Sequence, residues 1–372
     1  MGSKRDRIIA VVMIAPSLLL LAIFVYGFIT HTLYVSMTDW GRQMALAVRP
    51  EVHFVGLANY RDLFTSLLDY RFRQDIVNMV FFTGMFVAAS LLLGLTLAIL
   101  VDQHIRAEAL FRTIFLFPMS LSLIVTGTMW RWLLQPRGGI NVVPTFFGGQ
   151  PWPFLWVSSR AQYLQFNWQV VPWYLVIVAG VLFVGLAVLW LVKRRRSVAA
   201  LCGVVGASLL AWAALDAPGL QQALPFPEMH GFNSAIVGIV MAATWQMAGY
   251  TMALYLAGLR GIPQELREAA RVDGAGELQI YRYVDLPLLW PITLSAVIIL
   301  GHIALKIFDL VFAMAGPDNA PTSVPAVSMY LTTFRGNQLA KGAAIAVILL
   351  TMVSALIIPY LVYSLRRRED LA

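Results

Sequence analysis

Few residues in this chain are equipped for chemistry, and they fall into two sets. One is a charged island, Gly261 to Pro287, reading GIPQELREAARVDGAGELQIYRYVDLP between two long apolar runs. Arg260 to Asp285 holds four arginines and five acids. That near-neutral mixture can build salt bridges, and it suits a protein groove better than an anionic bilayer, where surface helices present basic faces. The other set lies inside the apolar runs. Gln246, with Tyr250 one helical turn later and Trp245 beside it, offers hydrogen-bonding groups and aromatic faces about 17 Å along a helix from Ala235, near mid-membrane depth. A path for a polar solute requires such groups, and so does an interhelical hydrogen bond that holds a bundle together. Lys306 and Asp309 are the charges found well inside a run, and a spacing of three allows them to pair on a helix. At about 27 Å from Leu288, Lys306 lies near the outer edge of a hydrocarbon core about 30 Å thick. That depth favours a structural or outer-gate pair over a proton relay. His302, one turn earlier, reads as a packing group, and Ser122 and Thr126 read as residues bonded to their own backbone.

The elements that must position these residues are set by composition. Apolar residues make up 59% of the 372-residue chain and charged residues only 12%, so an integral membrane protein is expected. The formal charge of +8 does not point to nucleic acid. Its basic residues flank apolar runs, at Lys4, Arg5 and Arg7, at Lys193 to Arg196 and at Arg366 to Arg368, as membrane flanks do. The single cysteine, Cys202, excludes an internal disulfide and a thiolate metal cluster, and no metal site is expected.

Runs long enough to span occur at Ile8 to Ile29, Ile76 to Val101, Phe111 to Leu134, Val170 to Val192, Val198 to Leu215, Ala235 to Gly258, Leu288 to Met314 and Ala343 to Leu365. The first is longer than a signal-peptide core and lacks a small-x-small cleavage site, so it reads as a retained span. An even number of spans puts both termini on one side. The basic flanks, the loop with Arg106 and Arg112, the Lys193 to Arg196 turn and the island share that side, which the charge rule makes cytoplasmic. No barrel-like alternation appears, so the expected class is all-α, a polytopic helix bundle of about eight spans. The chain divides into residues 1–75, the first span and an outer loop; 76–134, two further spans; 135–234, an outer loop and a two-span hairpin around KRRR; and 235–372, the last spans with the polar loop at 259–287. The hairpin is almost free of internal polar groups and reads as lipid-facing padding inserted between two halves.

Within the island, Pro263 suits a helix start and Glu265 and Glu268 favour its N-terminal half. Leu266, Ala269 and Ala270 share a face, Gly274 and Gly276 let the chain turn, and a second short helix through Ile280, Tyr283 and Val284 should end before Pro287.

The string Glu268-Ala269-Ala270-Arg271-Val272-Asp273-Gly274-Ala275, followed by Val284-Asp285-Leu286-Pro287, resembles the EAA loop of binding-protein-dependent ABC importer permeases. Leu256 to Leu259 and Ile262 to Leu266 are similar to the carbohydrate branch, relatives of the maltose permeases. Phe54 to Tyr60, Phe111 to Thr113, Gly139 to Asn141, Phe308 to Phe312 with Gly316-Pro317, and Gly342 to Ala344 fit the same branch. The resemblance covers nearly the whole chain except about Trp152 to Pro227. It departs from the family in the sparse glycine of Gly316 to Pro321 and in the inserted hairpin.

The resemblance implies a MetI-like permease core and a definite role for the island. Glu268, Ala269, Ala270, Asp273, Gly274, Ala275, Leu286 and Pro287 would dock a cytoplasmic ATPase, with Glu268 the motif glutamate and Gly274 its turn glycine. Implied partners are a second permease, ABC ATPase subunits and an extracytoplasmic sugar-binding protein, in a bacterial or archaeal cytoplasmic membrane. This chain has no G-x-x-x-x-G-K-[ST] phosphate loop, so ATP and Mg would be bound by the ATPase and no cofactor by this chain. Phe111 to Pro118, Thr126-Gly127-Thr128 and Asp102-Gln103 resemble the glucose or mannose type. The competing expectation is an ion-coupled secondary carrier using Lys306, Asp309 or His302. A passive channel is disfavoured, since no ring of selectivity residues is visible.

Overall fold

The computed structural model describes residues 4–41, 52–103, 107–216, 219 and 226–369 of the chain. Arg106, counted above among the basic flanks, lies outside the described residues. In hydrocarbon a peptide group finds no water, so each apolar run closes its hydrogen bonds internally as a helix. α1 (Lys4–Leu21) continues through a π-helical turn, Ala22–Gly27, into α2 (Phe28–Ser36). Next come α3 (Ala58–Thr65), α4 (Tyr70–Asp102), α5 (Glu108–Leu116), α6 (Leu123–Leu133), α7 (Val171–Val192) and α8 (Arg196–Leu215). α9 (Ile236–Arg260) leads into the island as α10 (Gln264–Val272) and α11 (Glu277–Ile280). The chain finishes with α12 (Trp290–Leu305), α13 (Asp309–Ala315), α14 (Pro325–Tyr330) and α15 (Leu339–Glu369). Among the described residues six helical stretches are long and apolar enough to cross a bilayer, or eight where each of two bent pairs counts as one span, in agreement with the apolar runs.

Two of the apolar runs are not single helices. The third span turns by 100° between Glu108–Ser120 and Leu123–Leu133. Pro118 sits in a 3₁₀ turn there, and Leu121 and Ser122 are extended, with ψ of 145° and 150°. The seventh bends by 65° between Glu277–Leu288 and Trp290–Leu305, and α12 then ends at Lys306 instead of running on to Met314. The second short helix of the island does not end before Pro287 either. A π turn at Tyr281–Asp285 resets the hydrogen-bond register, so Pro287 falls in a first-turn position, where no N–H is needed.

Two compact units are separable: Met1–Leu63, Tyr70–Ala161 and Asn233–Ala372 form one, and Phe64–Asp69 with Gln162–Phe232 the other. In the first, α9 is the axis, with 67% of its most apolar window buried against 0% for the first span. It packs on α4 because small residues let the backbones meet. A Cβ added to Gly94 would lie 2.0 Å from Thr251 Oγ1, and Thr251 Oγ1 donates to the Ser90 carbonyl at 2.8 Å. Toward the island end, Ala98, Val101, Met252, Tyr255, Leu256, Leu259 and Leu289 close an apolar core.

At the far end α4 starts earlier than its apolar run, and Arg73, Gln74, Asp75 and Asn78 are buried in its first turns. Ser323 and Ser328 donate to Asp75 Oδ2 at 2.8 and 2.5 Å. Asn78 Nδ2 donates to the Ser323 carbonyl at 2.8 Å, and Arg71 to the carbonyl of Pro317. These bonds replace water for polar groups withdrawn from it.

The second unit is the α7–α8 hairpin with most of a two-stranded sheet, β1 (Gln162–Asn167) and β2 (Met229–Asn233), which the all-helical expectation did not include. Gly180 and Gly206 face each other across the hairpin. Its turn passes through Arg194 at φ +58°, and Lys193 and Arg195 both lie 5.6 Å from the Trp190 ring centre.

Candidate functional site

The island folds by local rules. Pro263 precedes α10 with its φ already near the helical value, and the Gln264 amide donates to Glu268 Oε1 at 2.9 Å, one turn apart. The helix ends through Asp273 N–H to Ala269 O (3.0 Å), Gly274 N–H to Arg271 O (3.0 Å) and Ala275 N–H to Ala270 O (2.9 Å). Gly274 closes this turn at φ +86°, a conformation that side chains resist. Gly276 N–H donates to Gln279 Oε1 at 2.8 Å and starts α11, and Arg271 bridges to Glu277 at 3.0 Å across the turn.

The surface so formed is unusual for an amphipathic helix pair, because several of its apolar residues face outward while Ile280 alone of α11 is buried. Glu268, Ala269, Asp273, Gly274, Leu286 and Pro287 are exposed, while Ala270 and Ala275 are half-buried. Val272 and Leu278 are 88% and 82% exposed, and Tyr283 is 68% exposed. Grouped at one loop, these residues form an exposed apolar patch.

The loop is held by apolar contacts, with Ile280 buried and Ile262 and Tyr281 packed on the core, and on the inner side of α10 by ion pairs. Arg267, on the inner side of α10, places Nε 3.0 Å from Asp285 Oδ1 and one terminal nitrogen 3.3 Å from Asp102 Oδ2. Its other terminal nitrogen donates to the Leu259 carbonyl at 3.4 Å. Partial burial works against the Arg267 charge, but the Asp285 and Asp102 carboxylates outweigh it and hold the guanidinium above its ordinary value. Arg260 reaches Glu108 at 2.8 Å and Asp102 at 3.8 Å, and Arg112 reaches Glu108 at 2.5 Å. The outer pairs involve arginines 41% exposed and are worth about 0.2–1 kcal/mol each. Asp285 is only 1% exposed, so removing its partner would strand a buried charge at a cost of about 3–5 kcal/mol. The pairs line a cleft of about 720 Å³ with Gln103, Gln264 and Tyr281. In the sequence Asp285 is legible only as a letter of the motif, and Arg267 carries no signal of its own. The available signal was charge at the ends of apolar runs, Asp102 and Arg260, opposite an acid- and arginine-bearing loop.

Among the residues inside the spans, Gln246 is 2% exposed and donates its amide N–H to the Leu121 carbonyl at 2.8 Å, at the break of the third span. The interhelical bond is therefore present, while Gln246 Oε1 has no partner. Trp245 packs edge-on against Trp130 with ring centres 5.9 Å apart, and Tyr250 is half-buried. Ser122 caps α6 by accepting from Val125 N–H at 3.3 Å, as expected of a backbone-bonding residue. Thr126 does not follow that expectation, its buried hydroxyl having no partner.

Lys306 and Asp309 also depart from expectation. Lys306 terminates α12 and Asp309 opens α13, so no helical turn spans the residues between them. Both are exposed, and among the described residues no ion pair joins them. No cluster of three or more His, Cys, Asp or Glu residues able to hold a metal occurs among the described residues.

Comparison with known proteins bears on this geometry. The profile of the family described as "Binding-protein-dependent transport system inner membrane component" matches residues 90–370. Over 370 residues, 99% of this chain and 100% of the relative, the sequence is 33% identical to a probable ABC transporter permease protein of Pyrococcus horikoshii. It is 30% identical to a xylose/arabinose import permease protein of Haloferax volcanii, over 94% of this chain and 85% of that one. The fold is similar to a chain in the crystal structure of a bacterial alginate ABC transporter in complex with an alginate pentasaccharide-bound periplasmic protein, with TM-score 0.62 at 16% identity over 95% of this chain and 93% of that one.

Proposed function

The chain belongs to the family of binding-protein-dependent transport system inner membrane components, and from that premise we propose that it is the permease subunit of an ATP-binding-cassette sugar importer. It forms the translocation path with a second permease and catalyses no reaction itself. The observation that carries this reading is the exposed loop of α10 and α11, whose apolar tips Val272 and Leu278 face solvent while Arg267 anchors its inner side. A cytoplasmic ATPase covers that face, with Glu268, Ala269, Ala270, Asp273, Gly274, Ala275, Leu286 and Pro287 in or beside the contact, and it binds the ATP and Mg. Both termini and the loop lie on the cytoplasmic side of a bacterial or archaeal cytoplasmic membrane, and a sugar-binding protein delivers cargo to the opposite face.

Sugar as the cargo class is supported by a relative named for xylose/arabinose import and by a structural neighbour named for alginate. The leaning within that class is a monosaccharide of glucose or mannose type, tested by a radiolabelled-sugar screen of the cognate binding protein. Trp245, Gln246 and Tyr250 are the path residues: an aromatic pair stands beside an amide whose oxygen is unpaired. Lys306 and Asp309, separated by a helix break, are the gate candidates at the opposite end. Family membership and the unpaired state of those two residues count against the ion-coupled carrier.

The test is reconstitution of the complete transporter. Glu268→Lys and Gly274→Asp should leave membrane insertion intact but uncouple ATP hydrolysis from uptake, the latter adding a charge and a side chain to a left-handed turn. Wild-type ATP-dependent transport by both variants would falsify the docking assignment.

A further inference from the structure

Charges alternate in sign without interruption across the island end, from Arg112 through Glu108, Arg260, Asp102 and Arg267 to Asp285. The members belong to separate pieces of the fold. Arg112 and Glu108 are on α5, Arg260 ends α9, Asp102 ends α4, Arg267 is on α10 and Asp285 closes the turn after α11. Exposure falls from 41% at Arg112 and Arg260 to 20% at Arg267 and 1% at Asp285, so screening by water and salt is least where α10 is held. One guanidinium therefore addresses the end of α4, the end of α9 and the turn after α11 together, through a planar fork that an ammonium cannot reproduce. The apolar residues of α10 do not compete for this task, since Leu266, Ala269 and Val272 are exposed. Beyond the ladder, α4 and α9 meet at Gly94 and Thr251 with no space for a methyl group, which binds them as one body.

We propose that Arg267 is the transmission residue of this transporter, a positioning group through which displacement of α10 is delivered to the α4–α9 pair. The proposal rests on the ATPase-docking reading and adds the path by which movement leaves the docked loop. With Arg267 in place, the loop is a rigid extension of two core spans. Without it, the loop can follow its partner while the spans stay behind.

The experiment uses the complete transporter in proteoliposomes and reads cargo moved per ATP hydrolysed, together with retention of the ATPase on purification. Failure of the wild-type complex to retain an ATPase would sink the docking reading, and this proposal with it. Given a coupled wild type, Arg267→Ala should keep the ATPase bound but lower cargo per ATP about fivefold or more, the lower range of allosteric coupling. Arg267→Lys, retaining charge without the fork, should recover part of the loss. Asp102→Asn guards against misfolding, because it leaves the buried Arg267–Asp285 pair intact and reduces the ionic link to α4 to, at most, a weaker neutral hydrogen bond. It too should uncouple, and spin labels at the exposed Gln103 and Gln264 should show a broadened distance distribution in both the Ala and Asn variants. Wild-type cargo per ATP in Asp102→Asn overturns the proposal, and so does equal loss in Arg267→Ala and Arg267→Lys with an unbroadened distance.

Discussion

A methyl group added at Gly94 would sit 2.0 Å from Thr251 Oγ1, 2.5 Å from its Cβ and 2.9 Å from the Met252 nitrogen, and the Cβ and the backbone nitrogen cannot withdraw without parting α4 from α9. The same addition at Gly84, ten residues earlier on α4, meets nothing within 4 Å. Two forces then act with opposite sign. Alanine improves helix propensity over glycine by about 1 kcal/mol, while overpacking a closed seam costs about 1–3 kcal/mol. Gly84→Ala should therefore be neutral or slightly stabilising, and Gly94→Ala destabilising, in thermal melts of the purified protein in one detergent. Equal melts for the pair would mean that the seam is not closed in the membrane-extracted protein. Residue type alone did not separate these glycines, since both lie in the same apolar helix and only the partner distinguishes them.

At the level of elements, the break in the third span depends on two side chains from different helices. Ser122 caps α6, and Gln246 of α9 satisfies the Leu121 carbonyl that the break leaves open. Ser122→Ala should cost about 1 kcal/mol as a lost cap, and Gln246→Leu about 1–3 kcal/mol as an orphaned carbonyl. Because both serve one break, the double variant should melt above the temperature that simple addition predicts. Strict additivity would show that the cap and the amide act independently. This break also marks the limit of what the sequence made legible. Hydropathy is a local property, so eight spans could be read from it, and the EAA string located the loop. The break was not readable because its support comes from 125 residues away. The clasp was hidden for the same reason: Arg267 meets Asp285 at a separation of 18 residues and Asp102 at 165. The Lys306–Asp309 pair failed because helical spacing was assumed across residues where α12 stops.

At the scale of the whole molecule, the α7–α8 hairpin offers a test of modularity. It belongs to a compact unit distinct from the one that contains α4, α9 and the island. Its own seam is internal, Gly180 against Gly206, and Trp173 Nε1 donates to the Ala213 carbonyl at 3.0 Å near its base. The two ends are therefore close, and a linker of about four residues, reaching roughly 13–14 Å, can replace Val171 to Leu215. Removing two spans also preserves the direction in which α9 crosses the membrane, because an even number of crossings is lost. If the hairpin is modular, the shortened protein should insert, retain the ATPase of the proposed complex and keep the melt of its core within about 0.5 kcal/mol, the range of changes that disturb no buried feature. If it fails to insert or sheds the ATPase, the hairpin is part of the working core and not an appendage. If it assembles but no longer responds to the binding protein of the proposed complex, the hairpin's contribution lies in that encounter, on the side away from its Lys193 to Arg196 turn.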